Sequence, residues 1–250
     1  MQDRKKEKDM RGKPERIPAR LAAILLMALG LSGCLGRMTG DSAPPPGGGW
    51  RAIPVSESRA VAQEPRRVEF LDRMVADAVA QSVAETGAGA VAPGEVWAAV
   101  IDCRDPRDPR MGSLRGGEPV YPASVVKLCY MVAAYDQCRR GLLPLDKSLR
   151  RDLNRMIVVS DNKATNRILD RLTHTGFGPE LSGAAWDSFA HKRLTVARYM
   201  ESLGLPGLWA TNKTFDETIP LYGRDTQWLG AARGDHFAQS NSMTVDDTAR

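Results

Sequence analysis

The sequence predicts a mixed α/β fold of the α+β kind, in which helices outnumber strands. Three observations carry this. Apolar residues recur at the helical period from Arg66, a short apolar and β-rich run follows at Glu95–Cys103, and from Ser124 onward the pattern is mostly helical.

Taken in order, the first helix rests on Val68, Leu71, Val75, Ala78, Val79 and Ser82 falling near one face, and it ends before Gly87 and Gly89. Glu95-Val96-Trp97-Ala98-Ala99-Val100-Ile101-Asp102-Cys103 predicts a buried strand. Asp105-Pro106 and Asp108-Pro109 mark a turn, Met111 to Leu114 a short second strand, and Gly116-Gly117 its close. Four helices are then expected: Ser124 to Arg140, Leu145 to Val159, Asn162 to Leu172 and Trp186 to Leu203. Residues 205–242 read as a long irregular stretch, a feature that in compact domains is usually functional or else conceals elements of its own. Thr244 caps a last helix, with Asp246 and Asp247 in its first turn. Only six residues follow that cap, and one or two strands do not form an independently stable sheet, so the sequence is expected to be C-terminally truncated.

The formal charge of +5 is a property of the N-terminus: residues 1–33 hold eight Lys or Arg against four Asp or Glu. Residues 34–250 are close to neutral, which argues against a nucleic-acid partner. The basic stretch Arg4 to Arg20 leads into an apolar run, Leu21 to Leu31, too short for a bilayer span of about 20 residues. It fits an export signal, for which Met10 offers an alternative start. The run ends in Leu31-Ser32-Gly33-Cys34, which resembles a lipobox; acylation of Cys34 would anchor the exported protein to a membrane. Leu35 points to the periplasmic face of the outer membrane in a cell that has one. Residues 34–65, with Pro44-Pro45-Pro46-Gly47-Gly48-Gly49, read as a flexible tether, and 66–250 as the folded domain. Cys103, Cys129 and Cys138 are expected as buried free thiols, because Cys129 and Cys138, nine residues apart on one helix, are about 13 Å from each other.

Chemistry concentrates in Tyr121-Pro122-Ala123-Ser124-Val125-Val126-Lys127-Leu128. Pro122 sets the helix start at or just after Ala123, which puts Ser124 in the first turn and Lys127 on the same face one turn later. The apolar residues that follow predict a central helix and a partly desolvated lysine, able to act as a base toward Ser124. A cap and a solvated side chain would give the same spacing, and the chain holds a second match, Ser160 to Lys163. Further on, Met156-Ile157-Val158-Val159-Ser160-Asp161-Asn162 runs an apolar helix into three polar residues at an interhelical corner, an arrangement that plain capping would also produce.

Ser124-x-x-Lys127 followed by Ser160-Asp161-Asn162, within "YPASVVKL" and "IVVSDNKATN", resembles the serine β-lactamase and penicillin-binding protein superfamily, in particular its class A β-lactamase catalytic domain. The resemblance covers roughly Arg66 to Arg250. It implies a two-subdomain fold, a helical subdomain beside an antiparallel sheet with flanking helices. It further implies that Ser124 attacks an amide or β-lactam carbonyl and that Lys127 accepts or relays its proton. Ser160 would relay a proton to the leaving nitrogen and Asn162 would bind the substrate's amide. Asp161 would fix the corner, and the Ser124 N–H would supply half of an oxyanion hole. The substrate would be a β-lactam or a cell-wall peptide, with no cofactor.

Departures from the pattern matter. Ser124 and Ser160 are 36 residues apart, a short separation for class A enzymes. No K-T-G follows; Lys213-Thr214-Phe215 comes closest but precedes the last helix and lacks the glycine. The deacylating glutamate is not evident: alignment on Glu217-Thr218-Ile219-Pro220 lands on Asn212, and Glu217 and Glu180 read more simply as surface charges. A non-catalytic or acylation-only binding module is therefore the alternative. His174, His191 and His236 lack ligand spacing, so no metal is expected, and neither a phosphate loop nor a G-x-S-x-G elbow occurs.

Overall fold

The computed structural model describes residues 23–24, 64–86, 91–216, 222–230 and 240–250. Cys34, most of the proposed signal, the tether to residue 63, Glu217 and His236 lie outside them. The architecture is mixed α/β and dominated by helices, with a small mixed sheet.

The sheet has four strands, in the order β1 (Ala23–Ile24), β3 (Val96–Asp102), β4 (Arg110–Leu114) and β2 (Arg66–Arg67). β3 (Val96–Asp102) and β4 (Arg110–Leu114) form an antiparallel hairpin with Ala98 opposite Leu114 and Asp102 opposite Arg110. β2 (Arg66–Arg67) adds parallel to β4, and β1 (Ala23–Ile24), from the apolar leader run, adds parallel to β3. The expected start of the first helix at Arg66 is thus corrected: Arg66 and Arg67 pair in the sheet, and α1 (Glu69–Glu85) begins after Val68. The backbone of α1 crosses β4 at Gly112, where a Cβ would collide with the main chain of Leu71 and Asp72. Leu71 and Val75 are the buried residues of α1, and Asp72 Oδ1 accepts the Ser113 amide at 2.7 Å. β3 is half-buried along its whole length rather than buried as its apolar run implies.

The main core is helical. α2 (Lys127–Arg139), α3 (Lys147–Val158), α4 (Asn162–Thr173) and α6 (Thr195–Ser202) enclose Val126, Tyr130, Leu149, Met156, Ile168, Leu169, Val196 and Met200. Full burial of each such aliphatic side chain contributes roughly 1.5–3 kcal/mol. α2 is central on one face only, because Leu128, Val132 and Tyr135 on its other side are 43 to 51 % exposed. The thiols also divide: Cys129 is buried and pushed up to about 12 by desolvation, Cys138 is half-buried and Cys103 is exposed.

The expected helix over 186–203 is two helices, α5 (Gly183–Arg193) and α6, parted at Leu194. Thr195 Oγ1 donates to the Lys192 carbonyl at 2.7 Å, and ψ near 0 at Leu194 turns the chain. The two pieces serve different partners. Trp186 and Phe189 of α5 stack on each other and meet Trp228 of α7 (Arg224–Gly230) at an angle, whereas Val196 and Met200 of α6 enter the main core. Residues 205–242 therefore contain α7 and β5 (Leu208–Trp209), which pairs with β6 (Ser242–Met243). Thr244 caps α8 (Val245–Ala249) by accepting the Asp247 amide, and Asp246 of α8 pairs with Arg67 at 3.1 Å, joining α8 to the sheet.

Candidate functional site

Ser124 enters the site from a turn of 3₁₀-helix, Ala123–Val126, with α2 beginning only at Lys127. This refines the expected helix start at Ser124 and improves the geometry. With three residues per turn, residues i and i+3 eclipse, so Ser124 and Lys127 stack on one face. Ala123 lies in the left-handed region (φ 47°), as does Ser160 (φ 54°) in the corner between α3 and α4. Non-glycine residues held there cost on the order of 1–3 kcal/mol each, and such strain concentrates at functional sites.

At Ser160 the chain turns so that both its carbonyl and its hydroxyl meet Lys127. Asp161 fixes that turn: its side chain accepts the Ala164 amide at 2.8 Å, capping α4, and pairs with Arg155 at 2.6 Å. The α4 cap and Arg155 together hold the Asp161 carboxyl below the usual carboxylate range.

Lys127 Nζ lies 2.7 Å from Ser160 O, 2.7 Å from Ser160 Oγ, 2.8 Å from Asn162 Oδ1 and 3.1 Å from Ser124 Oγ. Ser160 Oγ donates to Ser124 Oγ at 2.9 Å. The two hydroxyls and Nζ thus form a nearly equilateral triangle, whose angle at Nζ is far narrower than that between two N–H bonds. The hydroxyls consequently share one direction of the amine, while the Ser160 carbonyl and Asn162 Oδ1, which only accept, take the other two. When the amine is neutral, its lone pair belongs in the shared direction, because only the hydroxyls can donate to it. A neutral Lys127 therefore presents a base to Ser124 directly or through Ser160. Burial favours that neutral form: Lys127 is 2 % exposed and desolvation holds its pKa below the ordinary lysine value, against the opposing charge of Asp161. Ser124 itself is exposed to solvent.

The structure brings together Ser124, Lys127, Ser160 and Asn162, which lie 38 residues apart at most in the two motifs singled out in the sequence. It also adds residues that the motifs did not disclose. Asn166, one turn after Asn162 on the same face of α4, clasps the backbone of Thr214: Oδ1 accepts the Thr214 amide at 2.8 Å and Nδ2 donates to its carbonyl at 3.0 Å. The next carbonyl, of Phe215, accepts from Asn162 Nδ2 at 2.6 Å. The second Nδ2 proton of Asn162 has no acceptor among the described residues. The spacing of Asn162 and Asn166 was the available signal, since i and i+4 share a helix face.

Lys213 of the Lys213-Thr214-Phe215 segment points elsewhere. Its ammonium is buried 2.9 Å from Asp170, 3.6 Å from Asp225 and 3.2 Å above the centre of the Phe177 ring. Asp225 also pairs with the fully buried Arg193. Asn212, where alignment placed the missing glutamate, is buried too; its amide and carbonyl are held by Asn241, and its carbonyl accepts from Tyr130 at 2.6 Å.

Comparison of the chain with protein-family models, with curated proteins and with solved structures found no match.

An open groove of about 450 Å³ continues the site beyond Asn162, lined by Arg155, Val159, Asp161, Asn162, Lys163, Phe215 and Asp216. Among the described residues no carboxylate hydrogen-bonds to Ser124, Lys127, Ser160 or Asn162. Glu180 is exposed beside a separate groove with Phe177 and Tyr222. No cluster of three or more His, Cys, Asp or Glu among the described residues is placed to hold a metal ion. No described helix is long and apolar enough to cross a membrane.

Proposed function

We propose that the chain is an acyl-transferring serine hydrolase of the β-lactamase-like kind, acting on β-lactams or cell-wall peptides. One observation carries the reading: an exposed Ser124 hydroxyl within 3.1 Å of a buried amine, with the Ser160 hydroxyl closing the triangle at 2.7 and 2.9 Å. Under this reading the fold is the two-subdomain one, a helical subdomain beside an antiparallel sheet with flanking helices. Cys34, once acylated, ties the exported protein to a membrane, at the periplasmic face of the outer membrane where the cell has one.

The chemistry follows from the hydrogen-bond directions. Neutral Lys127 takes the Ser124 proton as Oγ bonds to the substrate carbonyl carbon, and the charge on the carbonyl oxygen faces the Ser124 backbone N–H. As the C–N bond breaks, the proton passes from the Lys127 ammonium through Ser160 to the leaving nitrogen, giving an amine and an ester on Ser124. Water then hydrolyses the ester, releasing a carboxylic acid and restoring the serine hydroxyl. Asn162 holds the substrate's amide with its remaining N–H.

A second reading has its own observation. Hydrolysis of the ester needs a base for water, and no described carboxylate hydrogen-bonds to Ser124, Lys127 or Ser160; the backbone of Thr214 and Phe215 stands beside Asn162. An acylation-only penicillin-recognising module fits that arrangement. A chromogenic cephalosporin separates the two: steady turnover marks the hydrolase, and a burst equal to the protein concentration marks the stalled acyl-enzyme. Both signals vanish in Ser124→Ala. Neither turnover nor burst in the wild-type chain refutes both readings.

A further inference from the structure

The groove beside Asn162 includes Asn162 in its lining but none of Ser124, Lys127 and Ser160, so it begins where the catalytic triangle ends. Its charges are nearly all matched. Arg155 is paired with Asp161 at 2.6 Å, and Asp216 is buried, 8 % exposed, within the field of Arg167, whose ion-pair partner is Asp152. Lys163 is different: it is exposed, lines the groove next to Asn162, and has no ion pair or hydrogen bond among the described residues. The uncharged part of the rim is apolar, with the Val159 and Phe215 side chains 64 and 79 % exposed. A ligand group that satisfies this groove combines hydrocarbon with one negative charge.

We infer that the groove receives the acyl side chain of the substrate and that Lys163 pairs there with a carboxylate carried on it, so that the preferred substrates are amides with an acidic acyl half. The inference rests on the function proposed above, in which Asn162 binds the amide joining that side chain to the scissile carbonyl. Lys163 thereby becomes a specificity residue, separate from the Ser160-x-x-Lys163 spacing that merely repeats the nucleophile motif. The pairing is exposed, so its effect is modest, roughly two- to fivefold in rate.

The test uses the full chain and two penicillins, one with an uncharged benzyl side chain and one bearing a carboxylate on the same side-chain carbon. The second-order rate of Ser124 acylation is measured for each. Wild type is expected to favour the acidic penicillin two- to fivefold at low salt, with the preference shrinking as salt rises. Lys163→Ala brings the ratio to about one, Lys163→Glu inverts it, and Lys163→Arg keeps it. A ratio unaffected by all three substitutions, with both penicillins still acylating Ser124, overturns the inference and leaves the enzyme reading standing. Absence of an adduct with either penicillin overturns the enzyme reading and the inference with it.

Discussion

Asp161 has two separable tasks at the interhelical corner, capping α4 and setting the charge near Lys127, and two substitutions pull them apart. Asp161→Ala removes the cap on the Ala164 amide, worth about 1 kcal/mol with a range of roughly 0.5–2. It also removes the pair with Arg155, whose side chain is 55 % exposed, so that this part adds at most about 1 kcal/mol. Asp161→Asn keeps an oxygen to accept from Ala164 and loses only the ion pair, a cost below about 1 kcal/mol. Urea unfolding at constant slope reads both. The electrostatic effect is the same in the two variants. Asp161 charge opposes the depression of Lys127, so removing it lowers the Lys127 pKa further and makes the neutral amine available at lower pH. The acid limb of the acylation–pH profile therefore moves to lower pH in both. Equal destabilisation of the Ala and Asn variants, or movement of the limb to higher pH, refutes the reasoning.

The base assignment predicts that wild-type acylation rises with pH and levels off before the ordinary lysine value of 10.5, since burial depresses Lys127. Lys127→Arg, which stays protonated throughout, loses about 100-fold or more in acylation rate together with that pH limb, as stopped-flow labelling measures. Asn166→Ala leaves the Thr214 amide and carbonyl without their partners and costs about 1–3 kcal/mol in a thermal or urea melt. It also slows acylation, because the Phe215 carbonyl no longer steadies Asn162; unchanged stability contradicts the clasp.

The corner of the candidate site was legible in the sequence because its geometry is local. Ser124 and Lys127 are joined by one turn, and Ser160, Asp161 and Asn162 occupy one helix junction whose cap chemistry is written in Asp161. The clasp of Asn166 on Thr214 was not legible, since it joins residues 48 apart through backbone groups that every residue possesses. The look-alike Lys213-Thr214-Phe215 illustrates the same limit: its Lys213 is a buried structural cation, and its contribution near the site is the carbonyl of Phe215. The break at Leu194 carries no Gly or Pro, and apolar periodicity continues across it. Only the different partners of Phe189 and Val196, an aromatic cluster and the main core, explain why the helix divides there. The strand at Val96–Asp102 reads as buried because an apolar run does not reveal how many elements will cover it.

Whether Ser124 is a nucleophile decides the proposed function. Intact mass spectrometry of the full chain after exposure to a penicillin measures this directly. A gain of one penicillin mass, mapped by proteolysis to the peptide bearing Ser124 and absent from Ser124→Ala, is the predicted result. An unmodified mass at saturating penicillin, or an adduct that persists in Ser124→Ala, contradicts it.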